Sequence, residues 1–82
     1  MWLNPKEQSQ WAYDQCLDLK DQNKEDYEQI WKLICDSSWA YWYCKNVKDR
    51  PELWSKICDN DYAYYYCRYV KDRKEVRKYI KD

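Results

Sequence analysis

The 82-residue sequence contains no glycine, no histidine and no phenylalanine, and only two prolines. A chain without glycine has few routes to positive φ, which disfavours tight hairpin turns of the primed types. Helices joined by short Asp, Asn and Ser turns are therefore expected. The lack of glycine also removes any phosphate-cradling loop. The lack of histidine removes the commonest general base and metal ligand, and with it every Ser–His or Cys–His nucleophile pair. The carboxylates fall mostly at expected caps and turns. The chain is accordingly read as a non-enzyme, with no catalytic residue and no cofactor or metal site assigned. No apolar run approaches the roughly 18 residues of a membrane span. The segment Met1–Pro5 leads into no apolar signal region. The expectation is a cytoplasmic protein with no membrane partner.

What the chain has in quantity is aromatic side chains, 20% of all residues, as six Trp and ten Tyr. These bury the most area per side chain, which helps a domain near the lower size limit for a self-sufficient core. Net charge is zero but unevenly spread. Residues 1–43 hold four Lys and eight Asp/Glu, and residues 44–82 hold eleven Lys/Arg and seven Asp/Glu. A zero total argues against a generic nucleic-acid binder, while the basic second half keeps that reading as the alternative.

The dominant feature is a repeat of 23 residues. Residues Asp36–Cys58 align with Asp59–Lys81, placing Ala40 on Ala63, Tyr41 on Tyr64, Tyr43 on Tyr66, Cys44 on Cys67, and Val47–Arg50 on Val70–Arg73. A degenerate copy precedes them, with Trp11-Ala12-Tyr13 and Cys16 matching Trp39-Ala40-Tyr41 and Cys44. Self-similarity at fixed period predicts stacked units that bury their apolar faces against one another. The expected fold is all-α: three stacked helical hairpins, a short α-solenoid of six helices in one domain over 1–82, with units of about 4–35, 36–58 and 59–82. Cap signatures place helices from Asn4-Pro5 to about Lys20, from Asn23 to Cys35, from Asp36 to Lys48, from Asp49 to Cys58, and again from Asp59 and Asp72. Ala40, Tyr43, Cys44 and Val47 share one helical face, as do Ala63, Tyr66, Cys67 and Val70, and Ala12, Cys16 and Leu19. Tyr13, Tyr41 and Tyr64 flank that stripe and are read as core. On the second helix of each unit, Trp31 and Cys35 correspond to Trp54 and Cys58, but to Arg77 and Lys81 in the last copy. That polar substitution reads as the outer face of a terminal unit.

The strings Trp39-Ala-Tyr-Trp-Tyr-Cys-Lys-Asn-Val-Lys-Asp-Arg50 and Tyr62-Ala-Tyr-Tyr-Tyr-Cys-Arg-Tyr-Val-Lys-Asp-Arg73 resemble the short tandem helical repeats of large-phage and giant-virus proteins. Those repeats run roughly A-Y-x-Y-A-x-x-V-x-x-R. The sequence departs from them in having Cys44 and Cys67 in place of Ala, and Asp49 and Asp72 in place of Gly. The resemblance implies an α-solenoid of viral or phage origin and no particular activity.

The five cysteines show no C-x-x-C spacing, which argues against a zinc knuckle. One reading makes them small helix-face and inter-unit residues. The other is a disulfide ladder, Cys35–Cys44 and Cys58–Cys67, two pairs with the same separation, which requires Cα atoms roughly 4.4–6.8 Å apart.

The partner-binding candidates are Trp39, Trp42, Tyr62, Tyr65 and Tyr69, on the side of their helices away from Ala40 and Ala63, with Lys45 and Arg68 beside them. Tyr, Trp and Arg dominate protein-interface hot spots, and the same rings beside cations also stack on bases. The alternative is that these rings pack between neighbouring helices. The leading expectation is a protein-binding or assembly module whose partner is another protein. A nucleic-acid binder using the basic third unit comes second, and a self-assembling structural subunit third. The unequal ends suggest a monomer or a weak, salt-sensitive homo-oligomer.

Overall fold

Asn4 starts the first helix as a side-chain cap, accepting the Glu7 N–H at 2.8 Å, with Pro5 in the first helical position. The computed structural model describes residues 4–22 and 28–81, and these form six helices and no strand. Helix α1 spans Pro5–Asp21, α2 Glu28–Trp31, α3 Ser37–Asn46, α4 Pro51–Trp54, α5 Asn60–Tyr69 and α6 Lys74–Arg77. The all-α expectation therefore holds. The expected cap at Asn23 lies outside the described residues.

The second and third units fold by the same local rules. Asp36 accepts from the N–H groups of Ser38 and Trp39, and Asp59 from those of Asp61 and Tyr62. Each helix stops where one carbonyl collects two N–H groups. Tyr43 O takes Val47 and Lys48 at 2.8 and 3.1 Å, and Tyr66 O takes Val70 and Lys71 at 2.9 and 3.1 Å. This ends α3 at Asn46, before the expected Lys48.

The second helix of each pair is shorter than the sequence suggests: one α turn followed by a tighter turn with i→i−3 bonds. Ile34 N–H bonds Trp31 O, Ile57 N–H bonds Trp54 O, and Ile80 N–H bonds Arg77 O. The tighter turn sends Ile34 and Ile57 fully into the core and brings the chain to the next Asp cap within two residues. Helices of one turn do not persist alone in water. Burial of Trp31, Ile34, Leu53, Ile57 and Val76 holds them, at about 1.5–3 kcal/mol per large apolar side chain.

Helix α3 packs against α1 on one flank and α5 on the other, and each long helix packs against its own short one. The small residues Ala12, Cys16, Ala40 and Ala63 are fully buried. They let the backbones approach where bulkier side chains would hold them apart. Tyr43, Tyr66 and Cys44 complete the buried stripe, Leu19, Val47, Cys67 and Val70 are half-buried at its edge, and Gln15 breaks it by facing solvent.

Two polar devices hold the units. The first closes each hairpin on itself. Ser9, fully buried on α1, donates to Pro5 O at 2.7 Å and accepts from the N–H groups of Cys35 and Asp36 at 2.9 and 3.0 Å. Ser37 Oγ donates to Lys56 O at 2.8 Å, and Asn60 Oδ1 accepts from Lys81 N at 2.5 Å. Ser9, Ser37 and Asn60 occupy the same repeat position.

The second device is a seam between units two and three, centred on Asp49. Sequence patterning makes Asp49 and Asp72 helix caps; instead Arg50 and Arg73 stand at the cap positions without side-chain cap bonds. Asp49 Oδ1 accepts from Trp54 Nε1 at 2.8 Å and Tyr66 Oη at 2.6 Å, while Oδ2 pairs with Arg73 Nη2 at 2.7 Å. Arg73 Nε also donates to Tyr66 Oη at 2.8 Å, as Arg50 Nε does to Tyr43 Oη at 2.7 Å. The guanidinium of Arg73 covers the Trp54 ring at 4.3 Å, and that of Arg50 covers Trp31 at 4.7 Å. Trp54, expected between units, is only half-buried, whereas its counterpart Trp31 is buried. In the third unit, Asp72 pairs with Arg77, the residue at Trp54's position.

All five cysteines are free thiols. The expected Cys35–Cys44 and Cys58–Cys67 bridges are not formed, because the two members of each pair face different neighbours. Cys35 Sγ lies 3.7 Å from Ser9 Oγ, and Cys58 Sγ lies 3.8 Å from Ser37 Oγ, each at its own hairpin's clasp. Cys44 lies against the Arg50 backbone, and Cys67 Sγ is 3.8 Å from Arg73 O. Burial pushes the Cys16 thiol up to about 11, partly offset by Arg50, and the Cys44 thiol up to about 12.

Candidate functional site

The outer edges of α3 and α5 meet in a cleft of about 310 Å³ lined by Tyr41, Trp42, Lys45, Tyr62, Tyr65 and Tyr69. Helical spacing produces it. Trp42 and Lys45 lie three residues apart on α3, and Tyr62, Tyr65 and Tyr69 recur at three and four residues on α5, so each set forms one ridge. The floor is Tyr41, which is buried. Its ring centroid stands 5.2 Å from that of Trp42, 5.9 Å from Tyr62 and 6.1 Å from Tyr65. Tyr62 meets Tyr65 edge-on at 5.8 Å, and Tyr65 meets Tyr69 at 6.3 Å. These tilted and edge-on arrangements are those favoured by ring quadrupoles.

Two cations serve this surface. Lys45 Nζ lies 5.1 Å from the Trp42 ring, 5.5 Å from Tyr69 and 6.0 Å from Tyr41. The Arg68 guanidinium lies 5.6 Å from the Tyr69 ring and donates to Tyr64 Oη at 2.9 Å. Both side chains are exposed, and neither forms an ion pair with a carboxylate among the described residues. The bond to Tyr64 raises the Arg68 pKa further, so its charge is permanent. Burial, then the neighbouring Tyr69 and Tyr65, raises the Tyr41 pKa, so its hydroxyl stays neutral at physiological pH.

The structure brings together five of the seven sequence candidates: Trp42, Lys45, Tyr62, Tyr65 and Tyr69. Arg68 stands at the rim over Tyr69 and belongs to a second, shallower cleft with Tyr64, Cys67, Asp72, Arg77 and Ile80. Trp39 is not in the aromatic cleft. It is half-buried, packs on Tyr13 of α1 at 5.2 Å between ring centroids, and its buried indole N–H has no hydrogen-bond partner among the described residues. For this residue, packing between helices is the outcome.

Two members elude sequence reasoning. Tyr13, Tyr41 and Tyr64 occupy one repeat position and are all expected in the core. Tyr13 is buried and accepts from Asn46 Nδ2 at 3.0 Å, and Tyr41 is buried as the cleft floor, but Tyr64 is 45% exposed. Tyr13 and Tyr41 are covered by the helix of the next unit, and among the described residues no further long helix covers Tyr64.

Among the described residues no group of His, Cys, Asp or Glu is arranged to hold a metal ion, and no helix is long and apolar enough to cross a membrane. Comparison with protein-family models, with curated proteins and with solved structures finds no match.

Proposed function

We propose that the chain is a non-enzymatic helical-repeat module that binds another protein through the aromatic cleft between α3 and α5. The observation that carries this reading is the contiguity of Trp42, Tyr65 and Tyr69, three exposed aromatic side chains set on two rigid helices around a concave floor. Interfaces concentrate their energy in such clusters, where Trp, Tyr and Arg fill or form pockets from which water is excluded. Placement on helices limits the entropy lost on ordering the site. The repeat strings support a viral or phage origin by resemblance. The lack of histidine and of any phosphate loop supports a binding role over catalysis.

The test is affinity capture from cells that produce the chain, run in parallel with Trp42→Asp and Tyr65→Asp. The expected result is a protein retained by the native chain at high salt and lost with both variants. Co-purifying nucleic acid whose retention collapses steeply as salt rises would replace this reading with the nucleic-acid one.

A further inference from the structure

The cleft's charges indicate what kind of partner segment it takes. Lys45 and Arg68 are both exposed, both lie over the ring of Tyr69 at 5.5 and 5.6 Å, and neither has a described carboxylate as counter-ion. Tyr69 is the most exposed large aromatic of the described residues, at 56%. The carboxylates on the two helices are committed or distant. Asp36 and Asp59 cap helix starts, Asp49 sits in the seam, and Asp72 pairs with Arg77. Asp61 is eight residues before Tyr69, about 12 Å along α5. Two positive charges therefore converge on one exposed ring, and the one carboxylate that lines the Arg68 cleft, Asp72, is paired with Arg77.

Size and shape narrow the ligand further. A cleft of about 310 Å³ stands at the low end of ligand-site volumes, roughly 300–1,000 Å³. It admits one planar side chain against its ring walls. A nucleic-acid strand needs cations spaced along its phosphates. Here both cations address a single point at the rim.

We infer that the α3–α5 cleft receives an aromatic side chain from an acidic segment of the partner, with carboxylates adjacent to that side chain pairing with Lys45 and Arg68 beside Tyr69. This inference rests on the protein-binding reading of the cleft and specifies its partner. The aromatic side chain supplies apolar burial against Trp42, Tyr62 and Tyr65, and the carboxylates supply orientation and encounter rate.

The full chain is titrated calorimetrically with four probes: a short peptide with one Trp flanked by Asp and Glu, the same peptide with Trp replaced by Ala, the Trp peptide with Lys flanks, and a mixed-sequence single-stranded DNA. The expected result is binding of the acidic Trp peptide about tenfold or more tighter than each of the other three. Lys45→Gln and Arg68→Gln should each weaken it about threefold to fivefold, the range of an exposed ion pair, and flatten its salt dependence. Nuclear magnetic resonance on the native chain, where the peptide should shift the Trp42 indole and leave Trp31 unmoved, serves should a variant misfold. Equal binding of the acidic and Lys-flanked Trp peptides overturns the charge inference and leaves the protein-binding reading standing. Equal binding of the acidic peptides with and without Trp overturns the side-chain assignment. Tighter binding of the DNA than of any peptide, or no binding by any probe, overturns both the inference and the reading beneath it.

Discussion

Arg73 of the third unit grips Asp49 of the second, with Nη2 2.7 Å from Oδ2, while Tyr66 and Trp54 donate to the other carboxylate oxygen. Both charged side chains are about three-quarters shielded, 25% and 23% exposed, whereas Asp72, the repeat counterpart of Asp49, pairs with Arg77 from Trp54's position, and those two side chains are 54% and 62% exposed. The two aspartates therefore differ in worth although their sequence contexts match. Asp49→Ala should destabilise by about 1–3 kcal/mol, because it orphans shielded donors. Asp72→Ala should stay within about 0–1 kcal/mol, the range of exposed pairs. Urea denaturation of the two variants checks this, and equal midpoint shifts would refute the seam.

The same carboxylate sets an acid limit. Burial opposes its ionisation, but the bonds from Tyr66, Trp54 and Arg73 outweigh burial and hold the Asp49 carboxyl below its ordinary value. A depressed native pKa gives stability that is fully present above the unfolded value, about 3.9, and is lost as pH falls through the native one. As pH falls below about 4, the native chain should lose more stability than Asp49→Asn does. Parallel acid titrations of the urea midpoint with the same slope would contradict the bonding pattern.

Ser9 has no exposed surface, and its hydroxyl closes the first hairpin against the N–H groups of Cys35 and Asp36. Ser9→Ala strands two backbone donors and should cost about 1–3 kcal/mol. Amide hydrogen exchange gives the specific signature: faster exchange at residues 35 and 36, with α5 unchanged. Uniform loss of protection would mean the clasp is not local.

The free thiols should react in a fixed order. Cys35 and Cys58 are exposed, Cys67 is half-buried, and Cys16 and Cys44 are buried with thiols raised to about 11 and about 12. Brief alkylation at neutral pH, read by peptide mass, should mark Cys35 and Cys58 first and Cys44 last, because the thiolate is the nucleophile. The raised values also imply a loss of stability as pH climbs above the unfolded thiol pKa of about 8.5. There the unfolded chain sheds protons that native Cys16 and Cys44 retain. Rapid labelling of Cys44 in the native protein would show that α3 is misplaced.

The all-helical fold and the inward stripe were legible because periodicity reports burial directly: Ala40, Tyr43, Ala63 and Tyr66 recur at helical spacing and are all fully buried. What stayed hidden were features that depend on which unit lies alongside. Asp49 carries the sequence signature of a cap, yet side chains from the third unit and Trp54 claim its carboxylate. Equal cysteine separations suggested a ladder, but separation along a chain carries no direction, and Cys35 and Cys58 turn toward Ser9 and Ser37. Five of the seven proposed surface residues line the cleft. Trp39 packs against Tyr13 of α1 instead, and Tyr41 is at once a core residue and the floor of the cleft, a double role that periodicity does not encode.

The seam sets a rule for growing such a chain. The second and third units each offer backward a Tyr–Arg pair, Tyr43 with Arg50 and Tyr66 with Arg73, and Asp49 receives one such pair from ahead. Both connectors lie within residues 36–58, so that segment is self-compatible: a tandem copy inserted after Cys58 would join to the original by the same contact that now joins units two and three. Gene duplication could lengthen the protein in whole turns of this module without redesigning any junction, and a duplicated chain that failed to unfold at higher urea than the original would show that the connectors do not suffice.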